Sequence, residues 1–240
     1  MSRFSAEYLQ LALDSTGWQL RQGDGITRVA AGKDPAAALA TLAVPSVTRR
    51  LLRPRLEVDI ADHWLRYLVI DWPAGLRGRA ERATWVSDRF FAVHGIETSA
   101  WATALDRDAA GSTTLACAAP RELVDAVVSF ARAGRMRIGA FGGHFAQTYN
   151  QLLPRLGAGA GALALCRDGR LTLGLWRGGR WQRVRSLTVG TTPGLTLSQT
   201  LAAWLPGLGA DADEGLIHTV GIEPAFLPAG WRTVTLGAGT

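Results

Sequence analysis

Short runs of alternating apolar and polar residues open the chain and predict strands. Residues 8–14 alternate, residues 18–22 follow a Ser-Thr-Gly turn, and residues 25–30 follow a Gly-Asp-Gly turn. Alternation with a period of two is typical of strands that bury one face. The pattern therefore predicts a three-stranded meander, and Pro35 begins a short alanine-rich helix after it.

A second meander is predicted late in the chain. Residues 161–186 alternate in the same way and are divided by two polar turns, Arg167–Arg170 and Arg177–Arg180. One helix and two strands are predicted after it, at 196–205, 216–220 and 231–237. Each end of the chain thus shows three strands, a helix and a strand, which indicates a weak internal repeat of elements.

The middle of the chain alternates between predicted strands and predicted helices. Residues 55–60 and 64–72 are β-rich runs separated by a short polar turn, which predicts a hairpin. Apolar residues spaced three and four apart predict a helix over Pro73–Gly95, with Gly95 as its C-cap. Two strands, a helix, a strand and a helix are predicted next, at 99–106, 112–119, 120–134, 136–141 and 143–157, and Pro154 is expected to stop the last helix. This order of elements indicates a mixed α/β fold.

The balance of charges raises the question of nucleic-acid binding. The 240 residues include 26 Lys and Arg against 20 Asp and Glu, a formal net charge of +6. A basic surface suits nucleic acid, but Lys33 is the single lysine and the arginines are scattered among acids, which favours a solvated, mildly basic surface. Trp176 and Trp181 flank a turn and predict a buried cross-strand pair or, in the alternative, an aromatic platform for single strands.

Cysteine usage and the lack of long apolar runs indicate a compartment. Cys117 and Cys166 lie in apolar, strand-like runs and are predicted to be buried thiols in a reducing environment. The first twenty residues lack the apolar core of a signal peptide. No run approaches the roughly 18 apolar residues that a membrane-spanning helix needs. The sequence therefore predicts a cytoplasmic protein.

Signatures of catalysis are missing from the sequence. His63, His94, His144 and His218 have no metal-ligand spacing and are predicted to be structural. There is no phosphate-binding P-loop and no G-x-S-x-G nucleophile elbow. The glycine-rich run 157–166 precedes a strand rather than a helix, so it is predicted to be a connector and not a dinucleotide loop. Acids that lie close in sequence fall in predicted turns, at Asp106, Asp108, Asp211, Asp213 and Glu214.

The layout of these elements over residues 5–190 resembles the actin-like proteins of type IV pilus and type II secretion platforms, the PilM and GspL families. The runs that carry the resemblance are 56–83, 101–106, 113–141 and 162–190. It implies an α/β, actin-like (ribonuclease H-like) fold with two lobes and mixed sheets, truncated in this short chain. It implies one actin-like unit, 1–240, with a first lobe over about 1–155, a subdomain inserted at about 55–119, and a second, reduced lobe over about 156–240.

In that family, nucleotide phosphates bind between two hairpin turns, and a glycine turn near the end holds the adenosine. The resemblance places remnants of this nucleotide-binding site at Asp14, Ser15, Thr16, Gly17, Asp168, Gly169 and Gly221. Asp14–Gly17 has the family's residue types in another order, and Cys166 and Arg167 stand where a strand-end carboxylate is usual. Such a carboxylate holds a metal or the attacking water. The resemblance therefore implies a degenerate nucleotide site with no catalytic residue, no metal site and no cofactor, ATP and Mg²⁺ being disfavoured.

The function that this resemblance implies is a non-enzymatic cytoplasmic scaffold in type IV pilus or type II secretion assembly. Its partners would be the cytoplasmic tail of an inner-membrane protein or the assembly ATPase, bound through a groove or a sheet edge. One alternative is an ATP-binding, weakly hydrolysing actin-like protein. A second is a basic nucleic-acid-binding module, whose affinity would fall steeply with salt.

Overall fold

The computed structural model describes residues 8–32, 34–42, 53–76, 78–106, 113–156, 159–208 and 214–237. The strands are β1 (Tyr8–Leu13), β2 (Gly17–Gln22), β3 (Gly25–Ala30), β4 (Arg55–Ile60), β5 (Arg66–Ile70), β6 (Trp101–Leu105), β7 (Thr114–Pro120), β8 (Arg137–Gly143), β9 (Ala160–Arg167), β10 (Arg170–Arg177), β11 (Arg180–Thr188), β12 (Gly215–Val220) and β13 (Trp231–Thr235). The α-helices are α1 (Pro35–Thr41), α2 (Arg79–His94), α3 (Arg121–Ala133), α4 (His144–Leu152) and α5 (Pro193–Trp204). Of the acids assigned to turns, Asp108, Asp211 and Asp213 lie outside the described residues.

The first predicted meander is confirmed. β1, β2 and β3 pair antiparallel, and β4 and then β8 add in parallel on the other side of β1, which gives the strand order β3-β2-β1-β4-β8. Every second residue of β1 and β4 is buried, as the alternation predicts. The helix predicted at Pro35 is also confirmed, because the carboxylate of Asp34 accepts the N–H groups of Ala36 (2.9 Å) and Ala37 (3.2 Å) and so caps α1.

The second meander is confirmed as β9, β10 and β11, and its sheet has the same topology as the first. Its strand order is β11-β10-β9-β12-β13, with β12 parallel to both β9 and β13. One face of this sheet packs on α5 through a fully buried cluster that includes Leu173, Leu197 and Ile217. The repeat of elements predicted from the sequence is thus a repeat of sheet topology.

The hairpin predicted from 55–60 and 64–72 is wrong. β4 lies between β1 and β8, so both of its edges are already hydrogen-bonded and none is left for β5. A single 3₁₀ turn at Asp62–Trp64 leads the chain out of that sheet. β5 instead pairs antiparallel with β7 in a separate three-stranded sheet of order β5-β7-β6.

The long amphipathic helix begins later than its apolar spacing predicts. α2 starts at Arg79 rather than Pro73, because Gly75 has a positive φ of 102° and the Glu81 carboxylate accepts the Gly78 N–H at 3.3 Å, which places the cap at Gly78. Its predicted end is confirmed, since Gly95 adopts a left-handed φ of 64° as C-cap.

The chain divides into two compact units. The first comprises 1–65, 99–102 and 119–146, and the second comprises 66–98, 103–118 and 147–240. The sheet of β1–β4 and β8 lies in the first unit, and the sheet of β9–β13 lies in the second with α2 and α5. The lobe boundaries implied by the family resemblance stay a prediction.

Candidate functional site

The first hairpin turn of interest lies at the carboxyl end of β1. Asp14 N–H donates to Gly17 O at 3.1 Å, which closes a tight turn, and Ala31 N–H donates to Thr16 O at 3.1 Å. A β-carbon at Gly17 would lie 3.1 Å from Val29 O, so this position favours glycine. The four predicted residues 14–17 therefore form one compact turn in the first unit.

A cleft of about 550 Å³ opens beside this turn. Asp14, Thr16 and Gly17 line it together with residues of the β2–β3 ladder. Arg28 Nε donates to Gln19 Oε1 at 3.4 Å, which places one cation on the cleft wall. Its volume falls within the roughly 300–1,000 Å³ that small-molecule sites occupy.

Acids and a histidine also meet at the carboxyl edge of the first sheet. His144 Nε2 lies 2.8 Å from Asp59 Oδ2, and Asp62 Oδ1 accepts the N–H of Phe145 at 3.3 Å. Asp62 and His144 are both buried, which fixes the start of α4 against the end of β4. Sequence reasoning missed Asp59 and Asp62, and the available signal was the position of two acids around the end of a buried strand, Asp59 next to the last residue of β4 and Asp62 two residues beyond it. The prediction that His144 is structural is consistent with this pair.

Within the described residues, no group of three or more His, Cys, Asp or Glu side chains is arranged to hold a metal ion. His94 lies at the end of α2, where its Nε2 is 3.0 Å from Tyr67 O, so a backbone carbonyl is its partner. Burial lowers the pKa of His94; the hydrogen bond with Tyr67 O opposes this shift, and the positive charges of Arg66 and Arg170 add to it. The imidazole therefore stays neutral at physiological pH.

The second hairpin turn joins β9 to β10. Asp168 and Gly169 have positive φ values of 52° and 69°, the conformation of a type I′ turn, for which Asp-Gly is a preferred pair. Val189 N–H donates to Gly169 O at 2.8 Å and holds the turn to the end of β11. Gly221 follows β12 and packs against the carbonyl oxygen of Cys166. The structure thus brings Asp168, Gly169 and Gly221 to one edge of the second sheet.

Two cationic groups, Arg66 and Arg170, lie near this second turn in addition to the carboxylate of Asp168. Burial lowers the pKa of Arg66, and the charge of Arg170 lowers it further, so the two guanidinium groups repel each other. Asp168 itself is exposed at the tip of the turn. The residue types at this turn suit an anion better than a divalent cation.

The cysteines and the tryptophan pair correct two expectations. Cys117 and Cys166 form no disulfide, as predicted, but each is partly exposed, so the prediction that they are buried is wrong. Burial raises the pKa of the Cys166 thiol.

Trp176 and Trp181 form the predicted cross-strand pair, edge to face at 5.8 Å. Both are nearly inaccessible, at 2% and 3% exposure, so the reading as an open platform for nucleic acid is wrong.

The loop that follows Gly221 is fastened to α5 through one serine. Ser198 Oγ donates to Phe226 O at 2.6 Å and accepts from Phe226 N–H at 3.0 Å. Ala225 N–H also donates to Gly194 O at 3.2 Å, in the first turn of the helix. The β12–β13 connection is therefore ordered by polar contacts with α5.

Ser198→Ala is expected to lower the free energy of unfolding by about 1–3 kcal/mol, because both backbone groups of Phe226 lose their partner. Thr200→Ala, in the same helix, is expected to change it by less than about 0.5 kcal/mol, since Thr200 donates only to the helical carbonyl of Thr196. Urea denaturation followed by circular dichroism measures both. Equal losses for the two variants would contradict the assigned role of Ser198.

Comparison with known proteins bears on the fold. No family model and no curated protein sequence matches this chain. The PilM–PilN type IV pilus biogenesis complex contains a chain that is 16% identical and superimposes with a TM-score of 0.57, over 97% of this chain and 89% of that one. A Bacteroides thetaiotaomicron protein with an actin-like ATPase fold and unknown function superimposes with a TM-score of 0.56 at 13% identity, over 92% of this chain and 86% of that one. The chain has the actin-like fold.

A third structural neighbour comes from a secretion system. The cytoplasmic domain of EpsL, an inner-membrane component of the Vibrio cholerae type II secretion system, gives a TM-score of 0.53 at 11% identity, over 97% of this chain and 90% of that one. The resemblance to PilM and GspL proteins predicted from the sequence is thus confirmed at the level of the fold. In the described part of the chain, no helix of this actin-like protein is long and apolar enough to cross a membrane.

Proposed function

We propose that this protein is a non-enzymatic actin-like scaffold at the cytoplasmic face of a type IV pilus or type II secretion assembly. The observation that carries the proposal is the match to the PilM–PilN complex, which covers almost the whole of both chains. The scaffold would bind the cytoplasmic tail of an inner-membrane protein or the assembly ATPase. The match to the cytoplasmic domain of EpsL supports the same setting.

The residues at the second hairpin turn support a role without hydrolysis. Cys166 and Arg167 end β9, so no carboxylate stands at the strand end to position a metal or a water. Arg66 and Arg170 add positive charge nearby. Asp14 and Asp168 are the acids at the two turns, and each serves a turn that is closed by backbone hydrogen bonds.

The exposed edge of β3 is the surface that we assign to the tail. β3 pairs only with β2 among the described residues, and its side chains are almost all exposed. Ala31 N–H faces β2, where it donates to Thr16 O. Because N–H directions alternate along an antiparallel strand, the N–H groups of Arg28 and Ile26 face outwards. An extended peptide can pair with these groups as an added strand.

Titration with synthetic tail peptides of the inner-membrane proteins encoded beside this gene tests the proposal. One peptide is expected to bind, and Ile26→Pro, which removes an outward N–H, is expected to weaken it about tenfold or more. Ile26→Thr keeps the N–H and is the matched control, with affinity close to that of the unmodified protein. Failure of every peptide, and of the purified assembly ATPase, to bind would contradict the scaffold. A melting temperature raised by saturating Mg-ATP would contradict the degenerate site.

A further inference from the structure

A second cavity, of about 230 Å³, lies at the amino-terminal edge of the sheet in the second unit. β9, β12 and β13 are parallel and begin together, with Gly215 in register with both Ala160 and Trp231. Asp168 follows the carboxyl end of β9, and Gly221 follows the carboxyl end of β12. The cavity is therefore at the opposite edge of this sheet from the predicted nucleotide residues.

The cavity lies on the face of the sheet that does not pack on α5. Gly161 is in register with Trp176 on one side and with Leu216 on the other, and Leu216 is in register with Arg232. The side chains of Trp176, Leu216 and Arg232 therefore share one face of the sheet. The missing side chain of Gly161 leaves space that the Trp176 indole fills. Trp176 and His218 form the floor, with ring centroids 6.2 Å apart and planes 18° apart.

His218 supplies part of the aromatic floor of the cavity. Its side chain is 8% exposed and lines the cavity. Burial lowers the pKa of His218, which favours the neutral ring. A neutral imidazole beside Trp176 suits an aromatic ring placed above it and brings no charge of its own to the site.

Two opposite charges flank the mouth of the cavity. Glu214 and Arg232 are both exposed and line it, and they form no ion pair with each other. Arg232 is in register with Leu216, and Leu216 lies two residues after Glu214. At a rise of about 3.3 Å per residue, the side chains of Glu214 and Arg232 therefore emerge about 7 Å apart along the strand direction. Leu156 and Leu216 also line the cavity and supply apolar walls.

The volume limits the ligand to a small molecule. About 230 Å³ is below the roughly 300–1,000 Å³ of pockets for drug-sized ligands, and it is enough for one ring with a short polar arm. A single ring suits the apolar walls and the aromatic floor. A carboxylate suits Arg232, and an ammonium group suits Glu214. One class of compound carries all three groups at once.

We propose that this cavity binds a free aromatic amino acid. The ring lies between Leu156 and Leu216 over His218, the carboxylate pairs with Arg232, and the ammonium group pairs with Glu214. This site is independent of the scaffold function, of the β3 edge and of the nucleotide turns.

Isothermal titration of the full chain with phenylalanine, tyrosine, alanine, adenosine and N-acetylphenylalaninamide tests the proposal. Phenylalanine or tyrosine is expected to bind, whereas alanine lacks the ring, and the capped amide lacks both charges and is expected to bind at least about tenfold more weakly. If the capped amide binds as tightly as phenylalanine, the two charges of the free amino acid are not recognised. That result would overturn the proposed ligand and indicate an aromatic residue of a peptide instead. Binding of adenosine alone, or of no compound at all, would overturn the site.

Two pairs of variants place the binding in the cavity. Gly159 lines the cavity with open space around it, so Gly159→Leu is expected to block binding, whereas Gly190→Leu, also in open space but outside the cavity, is expected to leave it unchanged. Arg232→Gln and Glu214→Gln remove one charge each and are expected to weaken binding about tenfold or more, as for charge-assisted hydrogen bonds. Unchanged binding in Gly159→Leu would overturn the location.

Discussion

Trp176→Ala is expected to lower the free energy of unfolding by about 3–5 kcal/mol, the range for removal of a fully buried large aromatic side chain. Trp176 is 2% exposed. Tyr149 lies against its ring at 5.5 Å and Trp181 at 5.8 Å, both edge to face. Such pairs contribute about 0.5–1.5 kcal/mol beyond the burial of area. The large expected loss therefore combines an unfilled cavity with several broken ring contacts.

Denaturant unfolding followed by far-ultraviolet circular dichroism measures this loss without depending on the fluorescence of the removed ring. Trp85→Ala is the matched control. Trp85 lies half-exposed on α2, where its indole N–H donates to Asp71 O at 3.1 Å, and its removal is expected to cost about 1 kcal/mol or less. A loss for Trp176→Ala as small as that of Trp85→Ala would show that the aromatic cluster does not stabilise the second unit.

The parts of the fold that sequence reasoning located correctly are those in which neighbouring residues determine the structure. The meander over 161–186 is defined by its own alternation and by its turns, and Asp168-Gly169 adopts the type I′ conformation that this pair favours. Asp34 and Pro35 likewise determine the start of α1 through local contacts. Such information is contained within a few residues of chain.

The parts that it located wrongly depend on distant strands. β4 and β5 are adjacent in sequence and β-rich, but β4 pairs with β1 on one edge and with β8 on the other. β8 lies almost eighty residues further along the chain. The contact of Asp62 with Phe145 N–H spans 83 positions. Local patterns carry no information on such pairings, which depend on the completed sheet.

The candidate sites show the same division. The turns at Asp14–Gly17 and Asp168–Gly169 were located from sequence because a turn is a local feature. The polar contacts of Asp59 with His144, and the approach of Arg66 to Arg170, were not, because each joins separate elements. His218 was expected to be an ordinary structural histidine, and its place beside Trp176 in the lining of a cavity depends on strands that are distant in sequence.

The two topologically equivalent sheets differ in how their parallel outer strands are connected. In the first, the chain between β4 and β8 includes β5, α2, β6, β7 and α3. In the second, β12 reaches β13 through residues 221–230, which contain no helix. Parallel neighbours usually need a longer crossover than this. The short connection must therefore turn sharply at its first residue, Gly221.

Gly221→Ala is expected to lower the free energy of unfolding by about 2–5 kcal/mol, for two reasons that add. Its φ of 67° costs an alanine about 1–2 kcal/mol. The new β-carbon would also overlap the carbonyl oxygen of Cys166, a backbone atom of the central strand β9 that cannot move aside. Overpacking of this kind costs about 1–3 kcal/mol.

Gly178→Ala separates the two contributions. Gly178 has a similar φ of 56°, in the turn between β10 and β11, but a β-carbon there meets no atom within 4 Å. Its replacement is therefore expected to cost only the conformational part, about 1–2 kcal/mol. Denaturant unfolding of the two variants side by side measures the difference. If Gly221→Ala is no more destabilising than Gly178→Ala, the close approach to Cys166 has no energetic weight, and the glycine is required at this turn for its backbone conformation alone.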